Sequence, residues 1–191
     1  MINRREALSR VAIIMGGTVL GAEAFLTGCK TNTKGVTFSQ ADIDFLNEVG
    51  ETILPATDTP GAKAANVGAF MQIMVSDCYE AKDQEIFMKG MEELKFKASK
   101  ASKASMGKAF MEATPEERTA FLTELDKEAK EYQKNKKQDD PTHYFTMMKQ
   151  LTLSGLFTSK IGATEVLRFV AVPGKFEGCV PYTIGEKAWA T

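Results

Sequence analysis

The side chains most able to do chemistry in this sequence are few, and its single histidine comes first. His143 follows Asp139 and Asp140 and precedes an apolar run. A histidine beside carboxylates can serve as a general base or a metal ligand. The carboxylates can also simply favour its charged form at the surface, and no second base or ligand stands at a recognisable spacing from it. We therefore predict a surface histidine without a catalytic role.

Five further carboxylates lie in or near the most distinctive stretches of the chain. Paired carboxylates can divide acid and base work between them, but spacing along the chain does not show that any two of them meet. The ordinary roles of such residues are helix caps and surface charges, and we expect those roles here. The five are Glu51, Asp58, Asp77, Glu165 and Glu177.

The sequence lacks the usual motifs for metals, cofactors and activated nucleophiles. It has no His/Cys cluster with zinc spacing, no CxxCH haem motif, no GxGxxG and no P-loop. Ser154 and Gly155 do not form a nucleophile elbow, which needs glycines on both sides of the serine. We predict no catalytic, cofactor-binding or metal-binding residue in this chain.

The first 28 residues have the pattern of an export signal. Arg4 and Arg5 stand side by side in a positively charged start, and the apolar stretch 11–26 follows. Glycines and Glu23 interrupt that stretch, so it is too short and too polar for a span of about 20 apolar residues. A buried N-terminal helix is the alternative, but its dipole would disfavour arginines in the first turn. We predict a twin-arginine signal peptide, which exports folded proteins, over residues 1–28.

The signal ends in LTGC, residues 26–29, which resembles a lipobox. In that interpretation Cys29 is lipidated and residues 29–37 form a flexible tether. An ordinary cleavage site that lies near a cysteine is the alternative. The lipobox predicts a protein anchored by lipid on the periplasmic side of a bacterial membrane.

Two cysteines remain if Cys29 is acylated. Cys78 and Cys179 form an even pair in an exported chain, which favours a disulfide. Such a bond would close a loop of about 100 residues and add up to about 4–5 kcal/mol of stability. Two unpaired buried thiols are the alternative, because the sequence gives no distance between them.

Length and charge limit the class of protein. Removal of 28 of the 191 residues leaves 163, which is one domain of ordinary size. The formal net charge of the whole chain is −1, so we predict no nucleic-acid partner and no electrostatic membrane patch.

Residues 38–191 are predicted to form a single all-α domain. Apolar residues recur at helical spacing through most of this range, and glycines and prolines gather between the periodic segments. We expect about five or six helices. The last stretch, VAVPGKFEGCVPYTIGEKAWAT, is rich in glycine and proline and predicts a long irregular C-terminal segment, which is often functional.

Capping signals predict several helix boundaries. Ser39 begins a capping box, and residues 114–117 (TPEE) form a second one with proline at the first helical position. Pro55 should end the first helix. We also expect a helix over 82–111, in which the Lys-Ala-Ser repeat is either a solvated helix face or a loop tip, and another helix that begins at Asp140–Pro141.

Two stretches are unusually specific for a helical protein. They are ETILPATDTPGAKAANVGAFMQIMVSDCY, residues 51–79, and LTLSGLFTSKIGATEVLRFVAVPGKFEGCVPYTIGEKAW, residues 151–189. Together they resemble the gluconate 2-dehydrogenase subunit 3 family, whereas residues 85–140 match only as helical spacer. The lipobox departs from the simplest picture of that family.

The resemblance implies a non-catalytic small subunit of a membrane-associated dehydrogenase complex. It implies a large partner of the glucose–methanol–choline type that binds FAD and oxidises a sugar, sugar acid or polyol, with a haem-bearing cytochrome subunit in some complexes. It also implies that the small subunit assists the folding and export of its partner. A stand-alone exported lipoprotein that binds a small ligand or acts as an enzyme is the alternative.

Two loops are the predicted interface with that partner, because loops on a rigid scaffold often carry function. The alternative is that their residues only pack the loops on the helices. The predicted contacts are Pro55, Asp58, Pro60 and Gly61 in the first loop, and Pro173, Phe176, Cys179, Pro181, Tyr182 and Trp189 in the second.

Overall fold

The computed structural model describes residues 36–99, 109–172, 174–175 and 178–190, which lie in the unit Val36–Thr191. The predictions for the signal peptide (Arg4 and Arg5), for lipidation at Cys29, and for Pro173 and Phe176 fall outside the described residues.

The first helix begins and ends where its local sequence predicts. Helix α1 spans Gln40–Ile53, and the hydroxyl of Ser39 accepts the Asp42 N–H at 3.2 Å. The carboxylate of Asp42 accepts the Ser39 N–H at 2.9 Å in return, which completes the predicted capping box. The helix stops at Leu54, the residue before Pro55.

Four more α-helices follow in the described residues, which confirms the predicted all-α class. Short turns of other helix types extend or separate them. The α-helices are α2 Val67–Ile73, α3 Ala81–Ser99, α4 Pro115–Asn135 and α5 Tyr144–Phe157; π-helical turns cover Met74–Cys78 and Gly162–Val166, and a 3-10 turn covers Phe110–Glu112. None of the described helices is both long and apolar enough to span a membrane.

Two predicted boundaries are wrong. The continuous helix expected over 82–111 is described as an α-helix over Ala81–Ser99, but Ala109 is extended and Phe110–Glu112 form a separate 3-10 turn. The helix expected from Asp140 begins at Tyr144 instead. The reason is that the Asp140 carboxylate accepts the N–H of Lys137 at 2.7 Å, so it closes the preceding turn and is not free to cap the helix.

One hydrophobic core holds the five helices together. Its fully buried side chains come from all of them except α4, which adds Leu122 and Leu125 at slightly greater exposure. Close approach depends on glycine at some contacts: a Cβ on Gly90 of α3 would lie 2.2 Å from atoms of Tyr144 in α5. The largest fully buried residues are Phe87, Phe145, Leu46, Met71, Met91, Leu94 and Met148.

The start of α2 is capped by a side chain from α1. Asn66, the residue before the helix, has φ 51° and makes no side-chain cap. Buried Asn47 replaces that cap, because its Oδ1 accepts the Gly68 N–H at 2.8 Å while its Nδ2 donates to Asn66 Oδ1 at 2.9 Å. The first two helices are therefore locked together by a polar contact as well as by apolar packing.

The described residues after Val166 form the predicted irregular C-terminal segment. Their backbone pairing is one isolated parallel bridge between Arg168 and Trp189.

Candidate functional site

His143 has a structural role at the start of α5. Its Nδ1 accepts the N–H of Phe145 at 3.2 Å, which caps the helix, and its ring stacks on Tyr144 with 4.5 Å between centroids. Burial lowers the pKa of His143, and the charges that act on it belong to Glu128, Lys97 and Glu93. The expectation that Asp139 and Asp140 hold it charged is therefore wrong, since an accepting Nδ1 requires the neutral ring.

The charged groups around His143 are engaged with one another. Lys97 Nζ contacts the carboxylates of Glu93 at 2.8 Å and Glu128 at 3.0 Å. The nearby Tyr144 hydroxyl is buried without a hydrogen-bond partner among the described residues, and burial raises its pKa to about 12. One lysine thus pairs with both carboxylates of this cluster.

The carboxylates singled out in the sequence do not gather at one place. Asp58 and Asp77 are exposed, and the described residues contain no group of three or more His, Cys, Asp and Glu that could hold a metal. Glu177 lies outside the described residues. Glu51 alone has a specific arrangement of partners, and it shapes the first predicted interface loop.

Glu51 fixes the first loop, residues 54–62, from the last turn of α1. One of its carboxylate oxygens accepts the N–H of Ala56 at 2.8 Å, and the other accepts the N–H of Lys63 at 2.8 Å. The two amides stand at opposite ends of the loop, so a single side chain holds both ends. The sequence pattern did not single out this role, because nothing local marks an acceptor for amides 5 and 12 residues ahead.

Gly61 completes this arrangement by leaving room for the carboxylate. A Cβ at position 61 would lie 2.5 Å from both Glu51 oxygens and from the Ala56 nitrogen. Gly61 is buried and Pro60 is half-buried, whereas Pro55 and Asp58 are exposed. Within this predicted interface set, Pro55 and Asp58 are accessible at the surface, and Gly61 allows the loop conformation that carries them.

An ion cluster joins this loop to α4. Glu48 bonds Lys63 Nζ at 2.7 Å and also the guanidinium of Arg118. Burial alone would raise the pKa of Glu48, but the hydrogen bonds from Lys63 and Arg118 outweigh it and lower that pKa. Arg118 also donates to the Phe110 carbonyl at 2.9 Å. The loop is thus fastened to two helices and is a rigid surface feature.

The C-terminal segment is closed by a second set of contacts, which we name the clasp: Arg168, Glu186 and Trp189. The Arg168 N–H donates to the Ala188 carbonyl at 2.8 Å, and the Ala190 N–H donates to the Arg168 carbonyl at 3.0 Å. The guanidinium carbon lies 3.7 Å from the centroid of the Trp189 ring, and the group pairs with Glu186. We call residues 169–188, which the clasp closes, the tail loop.

The tail loop carries apolar side chains that are not buried. Val172 is 83%, Tyr182 78% and Ile184 93% exposed, and Pro181 is also exposed. Most of the large apolar residues that are exposed in the described part of the chain lie from Phe157 onward. The predicted interface residues Tyr182 and Pro181 are therefore accessible, whereas one face of Trp189 is covered by Arg168.

An open apolar groove lies beside the clasp. Its volume is about 440 Å³, and its described lining includes no charged side chain. Phe157, from the end of α5, and Phe169 are the largest apolar contributors besides Trp189. Local sequence does not single out Phe157 or Phe169, since exposure of an apolar residue leaves no local signal. The lining is Phe157, Thr158, Ala163, Leu167, Phe169, Trp189 and Ala190.

Cys78 and Cys179 are both free thiols on exposed residues. The structure does not join them, and the disulfide between them stays a prediction.

Comparison with known proteins gives one family. The family model described as Gluconate 2-dehydrogenase subunit 3 matches residues 40–174. The match covers all five described α-helices, the Glu51 loop and the start of the tail loop. No curated protein and no solved structure matches the chain.

Proposed function

The chain belongs to the gluconate 2-dehydrogenase subunit 3 family, and from that premise we propose that it is the non-catalytic small subunit of a flavin-dependent dehydrogenase complex. Its partner in this proposal is a large subunit of the glucose–methanol–choline type that holds FAD and oxidises a sugar, sugar acid or polyol. A cytochrome subunit that carries haem would receive the electrons in complexes that have one.

The observation that carries the proposal is the exposed apolar surface of the tail loop. Large apolar patches exposed on a folded domain usually mark a site of interaction with another macromolecule, and Val172, Tyr182 and Ile184 are all exposed on this one loop. Here that surface stands beside a helical scaffold whose own core is already filled. The rigid Glu51 loop supplies a second exposed feature of fixed shape. Binding of a protein partner accounts for both features together.

The N-terminal residues extend the proposal to export and anchoring. Arg4 and Arg5 would direct the chain to the twin-arginine route, and a bound large subunit without a leader of its own would travel with it. Lipidation at Cys29 would then keep the pair on the periplasmic face of the membrane. In this account the small subunit assists the folding of its partner by covering its apolar surface before export.

Tagging the chain in its own bacterium tests the central claim. Affinity purification should recover a large subunit that shows the absorption spectrum of FAD, and deletion of the chain should leave that subunit in the cytoplasm. Recovery of no flavoprotein, together with normal export of the large subunit in the deletion strain, would refute the proposal.

Replacement of Arg4 and Arg5 by lysine tests shared export. The partner flavoprotein should remain in the cytoplasm, whereas the matched control Arg10→Lys should export it normally. Arrival of the partner in the periplasm with the double variant would show that it does not depend on this signal.

A stand-alone ligand-binding lipoprotein is the second candidate, and the groove beside the clasp is the observation in its favour. Its volume of about 440 Å³ falls in the range of small-molecule sites. However, the groove is open, and its described lining offers no charged group to fix the orientation of a sugar acid. Saturable binding of a small sugar acid by the purified chain, lost in Phe169→Ser, would favour this candidate over the subunit.

A further inference from the structure

The tail loop is held in shape without adding to the core of its own domain. None of the described residues after Val166 belongs to the hydrophobic core or packs against it as a partly buried member. Yet both ends of the loop are fixed by two backbone hydrogen bonds, a stacked guanidinium and an ion pair. Lys187 adds a further bond to the Glu165 carbonyl. Ordering a chain segment costs conformational entropy, which these contacts offset at the two ends of the loop. The exposed side chains between the ends add no packing to the domain's own core.

Charges and apolar residues are separated along the loop. Arg168, Glu186 and Lys187 lie at its base, where the clasp uses them. Lys175 and Glu177 are the charged residues between positions 169 and 185, and Tyr182 and Ile184 are surrounded by uncharged residues in sequence. The base therefore carries the charged contacts that hold the loop, and residues 178–185 are the uncharged stretch that could be buried against another surface.

The backbone of the loop indicates what kind of surface receives it. The described parts of the loop are irregular, and their internal backbone bond is one turn from Glu186 N–H to the Thr183 carbonyl at 3.0 Å. Irregular backbone cannot enter the hydrocarbon of a bilayer, because its N–H and C=O groups would lack partners there. A protein groove can satisfy these groups and bury the apolar side chains together. A protein is thus the better-suited occupant for this surface.

We propose that the clasp presents the tail loop for insertion into an apolar groove on the large subunit, with Tyr182 and Ile184 as its anchors. This inference rests on the proposed function. Arg168 is a positioning residue in this arrangement, since it holds the loop and does not contact the partner. Trp189 belongs to the clasp as the surface on which Arg168 stacks, and its contact with the partner stays a prediction.

Substitution of the anchors tests the insertion directly. The purified full-length chain and its large subunit are combined, and their dissociation constant is measured by interferometry. Ile184→Ser and Tyr182→Ala should each weaken binding at least about tenfold, as central interface residues do. Ile73→Ser is the matched control, because Ile73 is also exposed, at 56%, but lies on α2. Equal affinities for Ile184→Ser and wild type would overturn the proposal.

Arg168 variants test the clasp separately. Arg168→Ala should accelerate dissociation of the complex several-fold, and Arg168→Lys should restore part of the loss, since a lysine keeps the positive charge near Glu186 and Trp189. Thermal unfolding of the free chain should stay unchanged in both variants, because the clasp lies outside the core. A large fall in melting temperature, or no change in dissociation rate, would contradict the positioning role.

The outcomes separate this inference from the function on which it rests. If the wild-type chain binds no large subunit, the proposed function fails. If wild type binds and the anchor variants bind equally, the complex stands and the tail loop is not its docking element. Ile184→Ser could instead release the chain from the membrane fraction, or split a dimer seen by light scattering, with partner binding intact. Either result would assign the loop to that other surface and overturn the insertion model.

Discussion

Replacement of Glu51 by glutamine should loosen the first loop although the two side chains have the same shape. The carboxylate accepts two backbone N–H groups, from Ala56 and Lys63, each at 2.8 Å. A glutamine has one accepting oxygen, and its NH₂ group would face the second amide, donor against donor. The substitution therefore removes at least one of the two hydrogen bonds, and the amide that loses its bond has no other acceptor from the protein.

The expected loss follows from the number and setting of these bonds. Hydrogen bonds to charged groups are worth about 1.5–3 kcal/mol when sheltered, and less at a surface where water can replace them. These two lie at the surface, so we expect Glu51→Gln and Glu51→Ala each to cost about 1–2 kcal/mol. For a domain of this size, 1 kcal/mol lowers the melting temperature by about 2–4 °C.

Urea unfolding followed by circular dichroism measures this loss, with Glu92→Gln on an exposed face of α3 as the matched control. Gly61→Ala adds a second test, because its Cβ would lie 2.5 Å from the Glu51 oxygens. That change should cost less in the Glu51→Ala background than in wild type, since part of the clash is gone. A Glu51→Gln variant within about 0.5 kcal/mol of wild type, the range of ordinary surface changes, would refute this account of the loop.

Three further predictions concern the scaffold. Burial lowers the pKa of His143, so its cap on Phe145 is complete above pH 6.5 and is lost as pH falls through the folded-state pKa. Over that fall in pH, the free energy of unfolding should drop by up to about 1 kcal/mol more in wild type than in His143→Asn, whose cap does not titrate. Parallel pH profiles of the two proteins would contradict this prediction. Gly90→Ala should lower the melting temperature although alanine has a better helix propensity than glycine, because overpacking against Tyr144 costs about 1–3 kcal/mol. A higher melting temperature in calorimetry would show that α5 moves to make room for the added Cβ. Asn47→Ala should cost about 1–3 kcal/mol in urea unfolding by leaving the Gly68 amide of α2 unpaired, and an unchanged midpoint would mean that water replaces the cap.

Local sequence predicted much of this fold because capping and helical periodicity involve residues within one or two turns. The Ser39 and Thr114 boxes formed as expected, and the helical class followed from apolar spacing. The errors came where a side chain had two possible local partners. Asp140 could cap a helix or close the turn at Lys137, and the structure shows the second.

The candidate site was less accessible from sequence. The unusual composition of the two predicted interface loops locates them in the sequence, but it does not predict the contacts that hold each loop in shape. Gly61 and Trp189 are predicted as contacts, which stay predictions, and the structure adds that both help to hold their loops in shape. The identity of a residue does not predict which face of its side chain is covered by a residue distant in the sequence.

The sequence by itself determined the helical class, the caps, the two distinctive loops and the resemblance to a dehydrogenase subunit, because each depends on residues close together in the chain. Tertiary structure alone decided that Glu51 ties both ends of one loop and that Arg168 meets Trp189 to close the other. It also decided that Phe157 and Phe169 line one groove. These contacts join residues from different elements, and their distance in space follows only from how the elements pack.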